Sequence, residues 1–255
     1  MKKVLLTMAL FVIASLSYAQ VLKNNFLAGY KVGDKLEKAV YMDKTDPIKL
    51  DTWCRGFMPT PVEGYEGPLV GEELSYPGYH EGGLSIKFGN LPYGAKPISV
   101  YSMDKGKKFN GGTLYFSFLA NFSQLEGNGI VDFVALSPNY VGGSDRGIVC
   151  VGREGSNKIR FGVGLVRKRV EGTTVYDYNK TYLLVIKLDY EKNEASLFIN
   201  PDLSGEEPKA NIVTDGGESV LEHPMRSVSF RNRYGYIGNV GNFRLSNSWA
   251  GVTAQ

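Results

Sequence analysis

Gly112-Thr113-Leu114-Tyr115-Phe116-Ser117-Phe118-Leu119-Ala120 alternates along its length. Leu114, Phe116, Phe118 and Ala120 fall on one side of an extended chain. Tyr115, Ser117 and Leu119 fall on the other, because successive strand side chains point to opposite faces. Working outward, the same period returns at 158–166, where Ile159, Phe161, Val163 and Leu165 share a face opposite Arg160, Gly162 and Gly164. It returns again at 182–188, with Tyr182, Leu184, Ile186 and Leu188 together. Ala195, Leu197 and Ile199 follow, and Ile130 to Leu136 adds a run rich in β-branched and aromatic residues. Shorter candidates lie at 74–76, 84–88, 98–102, 227–230 and 242–245.

Turn formers separate these runs. Gly82-Gly83, Gly111-Gly112, Gly142-Gly143 and Gly216-Gly217 supply backbone with positive φ at no steric cost. Asp189-Tyr190-Glu191-Lys192-Asn193-Glu194 joins two strong strands as a hairpin, and Asn200-Pro201 stops the second, since proline cannot continue a central ladder. The one candidate for a helical turn is short, at 35–40. A dozen short strands in one unbroken stretch of 255 residues predict an all-β, two-sheet antiparallel sandwich with little helix.

Met1-Lys2-Lys3, an apolar run over 4–16 and Ser17-Tyr18-Ala19 read in order as the three parts of a secretory signal peptide. Residues 1–19 are therefore expected to be removed before Gln20, leaving one domain over 20–255 that is periplasmic or extracellular. No later segment is apolar enough to span a membrane. The formal charge of +3 drops to about +1 without Lys2 and Lys3, too balanced for an obligate nucleic-acid binder. Export permits a Cys54–Cys150 disulfide, yet Cys150 sits in the apolar run Gly147-Ile148-Val149-Cys150-Val151-Gly152, where a buried thiol fits equally well.

Several segments resemble one family. Asn25 to Leu36, Trp53 followed by Leu74-Ser75-Tyr76-Pro77-Gly78-Tyr79, the alternating 112–119 strand, the pair 182–188 and 196–201, and the close Phe243-Arg244-Leu245-Ser246-Asn247-Ser248-Trp249 are similar to secreted bacterial concanavalin A-like (laminin-G-like) jelly-roll domains. The resemblance implies two packed antiparallel sheets of six or seven strands, with carbohydrate, where it is bound, on the concave face or in the loops at its rim. That fold hosts lectins, adhesion modules, glycoside hydrolases and polysaccharide lyases, so function has to come from the site.

The laminarinase-type Glu-x-Asp-x-Glu strand motif, which aims paired carboxylates at a sugar, is missing: no Glu here has Asp two positions later. Asp189, Glu191 and Glu194 come nearest and fall in the hairpin turn. His80 and His223, candidates for a lyase base, fall in loops without Arg and Tyr alternating beside them. No dense acidic loop marks calcium, although Asn139 to Asp145 and Asp132 carry oxygens, and a calcium ion held by scattered carbonyls leaves no trace in sequence. No catalytic residue, metal ligand or cofactor motif is assigned.

Two basic clusters, Arg167-Lys168-Arg169 and Arg231-Asn232-Arg233-Tyr234, would suit an acidic glycan if adjacent, and otherwise read as solvated strand ends. Trp53 and Trp249 are expected in the core. Tyr115, on the more polar face of the strongest strand, is the expected stacking ring, with Ser117 beside it and Arg160 and Lys187 in outward slots of two other strands. The resulting expectation is an exported, non-catalytic module that binds a polysaccharide or other glycan. The competing class is a lyase or hydrolase of the same fold with an atypical site.

Overall fold

The computed structural model describes residues 21–56, 63–79, 82–103, 111–217 and 221–253. The expected signal segment, 1–19, and His80 lie outside the described residues. Among the described residues fifteen strands are formed, in chain order: β1 (Val21–Lys23), β2 (Trp53–Arg55), β3 (Leu69–Leu74), β4 (Gly83–Phe88), β5 (Ile98–Ser102), β6 (Thr113–Gln124), β7 (Val131–Ser137), β8 (Gly147–Glu154), β9 (Lys158–Leu165), β10 (Lys168–Asp177), β11 (Thr181–Asp189), β12 (Glu194–Ile199), β13 (Ile212–Asp215), β14 (Ser227–Arg231) and β15 (Ile237–Ser246). One short helix, α1 (Trp249–Thr253), follows. They make two antiparallel sheets. The first runs β13-β12-β11-β6-β15-β4-β3, with β1 also paired to β15, and the second runs β10-β9-β8-β7-β14-β5-β2. The fold is an all-β two-sheet sandwich with eight and seven strands, against six or seven expected in each.

The alternation of the quoted stretch sets the packing. Phe116 lies opposite Ile186 and Phe118 opposite Leu184 across β6 and β11, and Leu184 and Ile186 in turn face Ile199 and Leu197. All point into the space between the sheets. There they meet Ile159, Phe161, Val163 and Leu165 of β9 and a phenylalanine cluster in which Phe116 stacks on Phe243 at 5.8 Å. Trp53 belongs to this core, its indole N–H donating to the Phe26 carbonyl at 2.9 Å.

The first sheet departs from expectation on its outer face, which is also dry. Tyr115, Leu119, Leu183, Val185 and Phe198 are covered there by Tyr79 and by Trp249 and Val252 of α1, with Leu203 and Ala210 packed alongside. The unbroken apolar run Leu183-Leu184-Val185-Ile186 is the local cause, since a strand buried on both faces has no polar side to show. Trp249 therefore belongs to a second apolar layer outside the main core. The segment 35–40 is not helical: Lys35 and Val40 make isolated strand bridges. Cys54 and Cys150 are both buried and unbridged.

Candidate functional site

The expected ligand residues separate. Tyr115, Ser117 and Lys187 lie together on the outer face of the first sheet, whereas Arg160 lies on the second. Tyr115 is not the open platform expected: its ring is only 6% exposed and packs edge-on to Trp249, while its hydroxyl donates to Glu207. Burial, then the neighbouring Glu207 charge, push the phenol well above the usual range, so it stays protonated as the donor. Ser117 is fully buried, sharing a 2.7 Å hydrogen bond with the Tyr79 hydroxyl and donating to the Val252 carbonyl. Lys187 pairs with Glu207 at 2.8 Å. Arg160 pairs with Glu154 at 2.7 Å and Glu171 at 3.3 Å. Helix α1 and residues 203–210 covered a face that the alternation of β6 alone left open.

The two basic clusters, by contrast, converge. Arg169, at the start of β10, forks onto Asp132 with its Nε at 2.9 Å and Nη2 at 3.1 Å. Arg233, after β14, donates its Nε to the Asp132 carbonyl at 3.0 Å. Arg231 grips Asp145 through Nε at 3.2 Å and through Nη2, and Ser229 also donates to Asp145. Burial alone would raise the Asp132 carboxyl, but the Arg169 fork and the charges of Arg231 and Arg233 outweigh it and hold the group below its ordinary range. Arg233 is shifted the other way, its cation disfavoured by burial first and then by Arg231. Asp132 and Asp145, the side-chain oxygens that suggested a calcium loop, are thus engaged by arginines. Among the described residues, no cluster of three or more His, Cys, Asp or Glu is placed to hold a metal ion. His223 is exposed in its loop, 3.8 Å from Glu222.

Arg233 also lines a pocket of about 340 Å³ at one end of the sandwich. Three connections build it: β4–β5 (89–97), β6–β7 (125–130) and β14–β15 (232–236). They meet because β5, β14 and β7 are neighbours in one sheet and β6, β15 and β4 in the other. The β5/β14 ladder continues past its last pair, with Asn232 N–H donating to the Pro97 carbonyl at 3.1 Å and Tyr234 N–H to Ala95 at 3.2 Å. Two glycines make room for the second connection, β6–β7. A Cβ at Gly152 would sit 2.1 Å from the Gly129 carbonyl oxygen, and one at Gly235, where φ is +76°, would sit 2.5 Å from Glu126 Cβ.

The rim is aromatic. Among the described residues, Tyr93 and Tyr234 are the two aromatic side chains that stand exposed, at 89% and 40%. They touch each other edge-to-face at 5.2 Å. Lys96, Glu126, Asn128 and Arg233 add polar groups, and Tyr236 closes the pocket from the core side. Sequence reading reached Arg233 and Tyr234 but passed over Tyr93. The available signal was Pro92-Tyr93-Gly94-Ala95-Lys96-Pro97, an aromatic ring set between turn formers with no strand face on which to bury it.

No protein-family model matches the sequence, and no curated protein matches it. Similar solved structures include a heptameric SAP-like pentraxin from Limulus polyphemus, at 9% identity and TM-score 0.43, covering 63% of this chain and 74% of that one. An arabinofuranosidase complexed with arabinofuranosyl-α-1,2-xylobiose is similar at 7% identity and TM-score 0.49, covering 76% of this chain and 44% of that one. A family 7 alginate lyase, A1-II′, is similar at 10% identity and TM-score 0.39, covering 63% and 76%. The likeness is one of fold alone.

Proposed function

We propose that this protein is an exported carbohydrate-binding module that seats a glycan in the end pocket between Tyr93, Tyr234 and Arg233. The observation that carries the reading is the touching pair of exposed tyrosines on the rim of a concave pocket that carries a few polar side chains among apolar ones. A ring exposed singly needs no partner, but adjoining exposed rings beside a concavity mark an interaction site. A sugar ring packs its C–H face on such rings while its hydroxyls need donors and acceptors close by, here supplied by Lys96, Glu126, Asn128 and Arg233.

Binding rather than turnover is favoured by the carboxylates. Glycoside hydrolysis uses a pair, and Glu126 alone lines the pocket among the described residues. The engagement of Tyr115, Ser117 and Lys187 in internal contacts moves the proposed ligand site from the sheet face to the end pocket. Arg160 sits on the outer face of the second sheet, held between two glutamates.

A glycan array on the chain from Gln20 onward tests the reading, with Tyr93→Ala and Tyr234→Ala run beside it. Glycans retained by the wild-type protein should be lost or weakened about 5–150-fold in either variant, the range that 1–3 kcal/mol of anchor contact corresponds to. Retention unaffected by both variants, or no glycan retained, refutes it. Shortened products from a retained glycan would transfer the pocket to the enzyme class.

A further inference from the structure

Three arginines act on Asp132, but only two of them have an acid of their own. Arg169 is matched by the Asp132 carboxylate and Arg231 by Asp145. Among the described residues Arg233 holds only the Asp132 backbone carbonyl, through Nε. Its two Nη groups donate to no described residue, although the guanidinium is half-buried and lies beside the Arg231 charge. A cation taken partly out of water without a counter-charge is unfavourable and is stabilised by whatever anion reaches it. Arg233 lines the end pocket, so the missing anion would arrive there.

The pocket's other charges lean the same way. Lys96 is exposed and has no ion-pair partner among the described residues. The pocket's one acid, Glu126, already accepts a hydrogen bond from Gln124 Nε2 at 2.7 Å. The arrangement is one fork-shaped cation fixed at its Nε, one flexible cation, and two rings beside them.

We infer that the ligand of this pocket is an anionic saccharide, its carboxylate or sulfate received by the free Nη groups of Arg233 with Lys96 assisting while the sugar face packs on Tyr93 and Tyr234. The inference rests on the binding reading above. The guanidinium fork matches a carboxylate or a sulfate with two parallel hydrogen bonds, and fixing Nε in advance aims it. Asp132 and Arg169 are positioning residues: their ion pair keeps the Asp132 carboxylate from taking the Arg233 fork.

Binding of polygalacturonate and hyaluronate (uronates), dextran sulfate (sulfate) and neutral galactan would be measured by calorimetry at two salt concentrations. The proteins compared are wild type, Arg233→Gln, Lys96→Gln and Tyr93→Ala. The expected result is retention of at least one charged polymer over galactan. Its affinity should fall with salt, and Arg233→Gln should weaken it about 10–100-fold, the loss expected when a hydrogen bond to a charged group goes. The uronate and dextran sulfate arms separate the two anions. If Arg233→Gln does not fold, Lys96→Gln, at an exposed position, still reads the charge dependence through a smaller loss and a shallower salt slope. Galactan binding equal to the charged polymers, or charged binding indifferent to Arg233 and Lys96, overturns the inference. If Tyr93→Ala still abolishes galactan binding, the binding reading survives; if Tyr93→Ala changes nothing, both fall.

Discussion

Truncating Tyr115 separates an internal support from a ligand platform. In the folded protein its ring is 6% exposed, sits 6.2 Å from Trp249 and lies opposite Lys187 in the β6–β11 register. The hydroxyl donates to Glu207, which also takes Lys187 at 2.8 Å, so ring and hydroxyl together pin residues 203–210 against the sheet. Tyr115→Phe removes only the hydroxyl contact with a partly exposed carboxylate, about 1–2 kcal/mol. Tyr115→Ala also removes a buried aromatic ring and leaves a void beside Trp249, about 3–5 kcal/mol in all. For a domain of this size each kcal/mol moves Tm by roughly 2–4 °C, so the phenylalanine variant should melt about 2–8 °C low and the alanine variant about 6–20 °C low. Differential scanning calorimetry of the three proteins at one pH reads the series. Equal small shifts in both variants, or a Tyr115→Ala protein melting within 2 °C of wild type, would show that the ring is not held between β6 and α1 and would return it to the surface.

Phe118→Ala, which empties a fully buried ring site between the sheets, should cost about 3–5 kcal/mol in urea unfolding, and a loss under 1 kcal/mol would mean that the β6 faces are exchanged. Asp132→Asn should cost about 1–3 kcal/mol at neutral pH by freeing the Arg169 fork. Because the folded-state pKa of Asp132 lies below its ordinary 3.8, its contribution is present above that value and lost as pH falls through the folded-state value. Stability curves of wild type and Asp132→Asn should therefore converge below about pH 3.8, and parallel curves down to pH 2 would contradict the pairing. Gly152→Val forces the β6–β7 connection off β8, where Gly129 leaves no room for a Cβ. The expected cost is about 1–3 kcal/mol with weakened glycan retention, and unchanged binding would detach that connection from the pocket.

The sandwich was legible in the sequence because period-two alternation is a local property: Phe116, Phe118, Leu184, Ile186 and Leu197 were assigned to the core from their spacing and are buried there. Turn chemistry was local in the same way, and the strand over 194–199 stops before Pro201 as that residue requires. The strands that alternation missed, β1, β2, β10 and β13, and β3, which the 74–76 candidate touches only at Leu74, are short or carry too many polar residues to show a period; their pairing partners rather than their own composition hold them extended. Arg169 and Arg233 could be marked as basic from the sequence, but their meeting at Asp132 depends on β10, β7 and the end of β14 lying on one sheet. Sequence distance carries no information on that adjacency. The exposure of side chains was equally non-local. Tyr115 was assigned correctly to the outward side of β6, yet α1, more than 130 residues later, buries it. Tyr93 stands in solvent because the three connections that meet around it leave its ring uncovered. Alternation along a strand determines which way a side chain points; only the packing of distant segments decides whether anything lies on top of it.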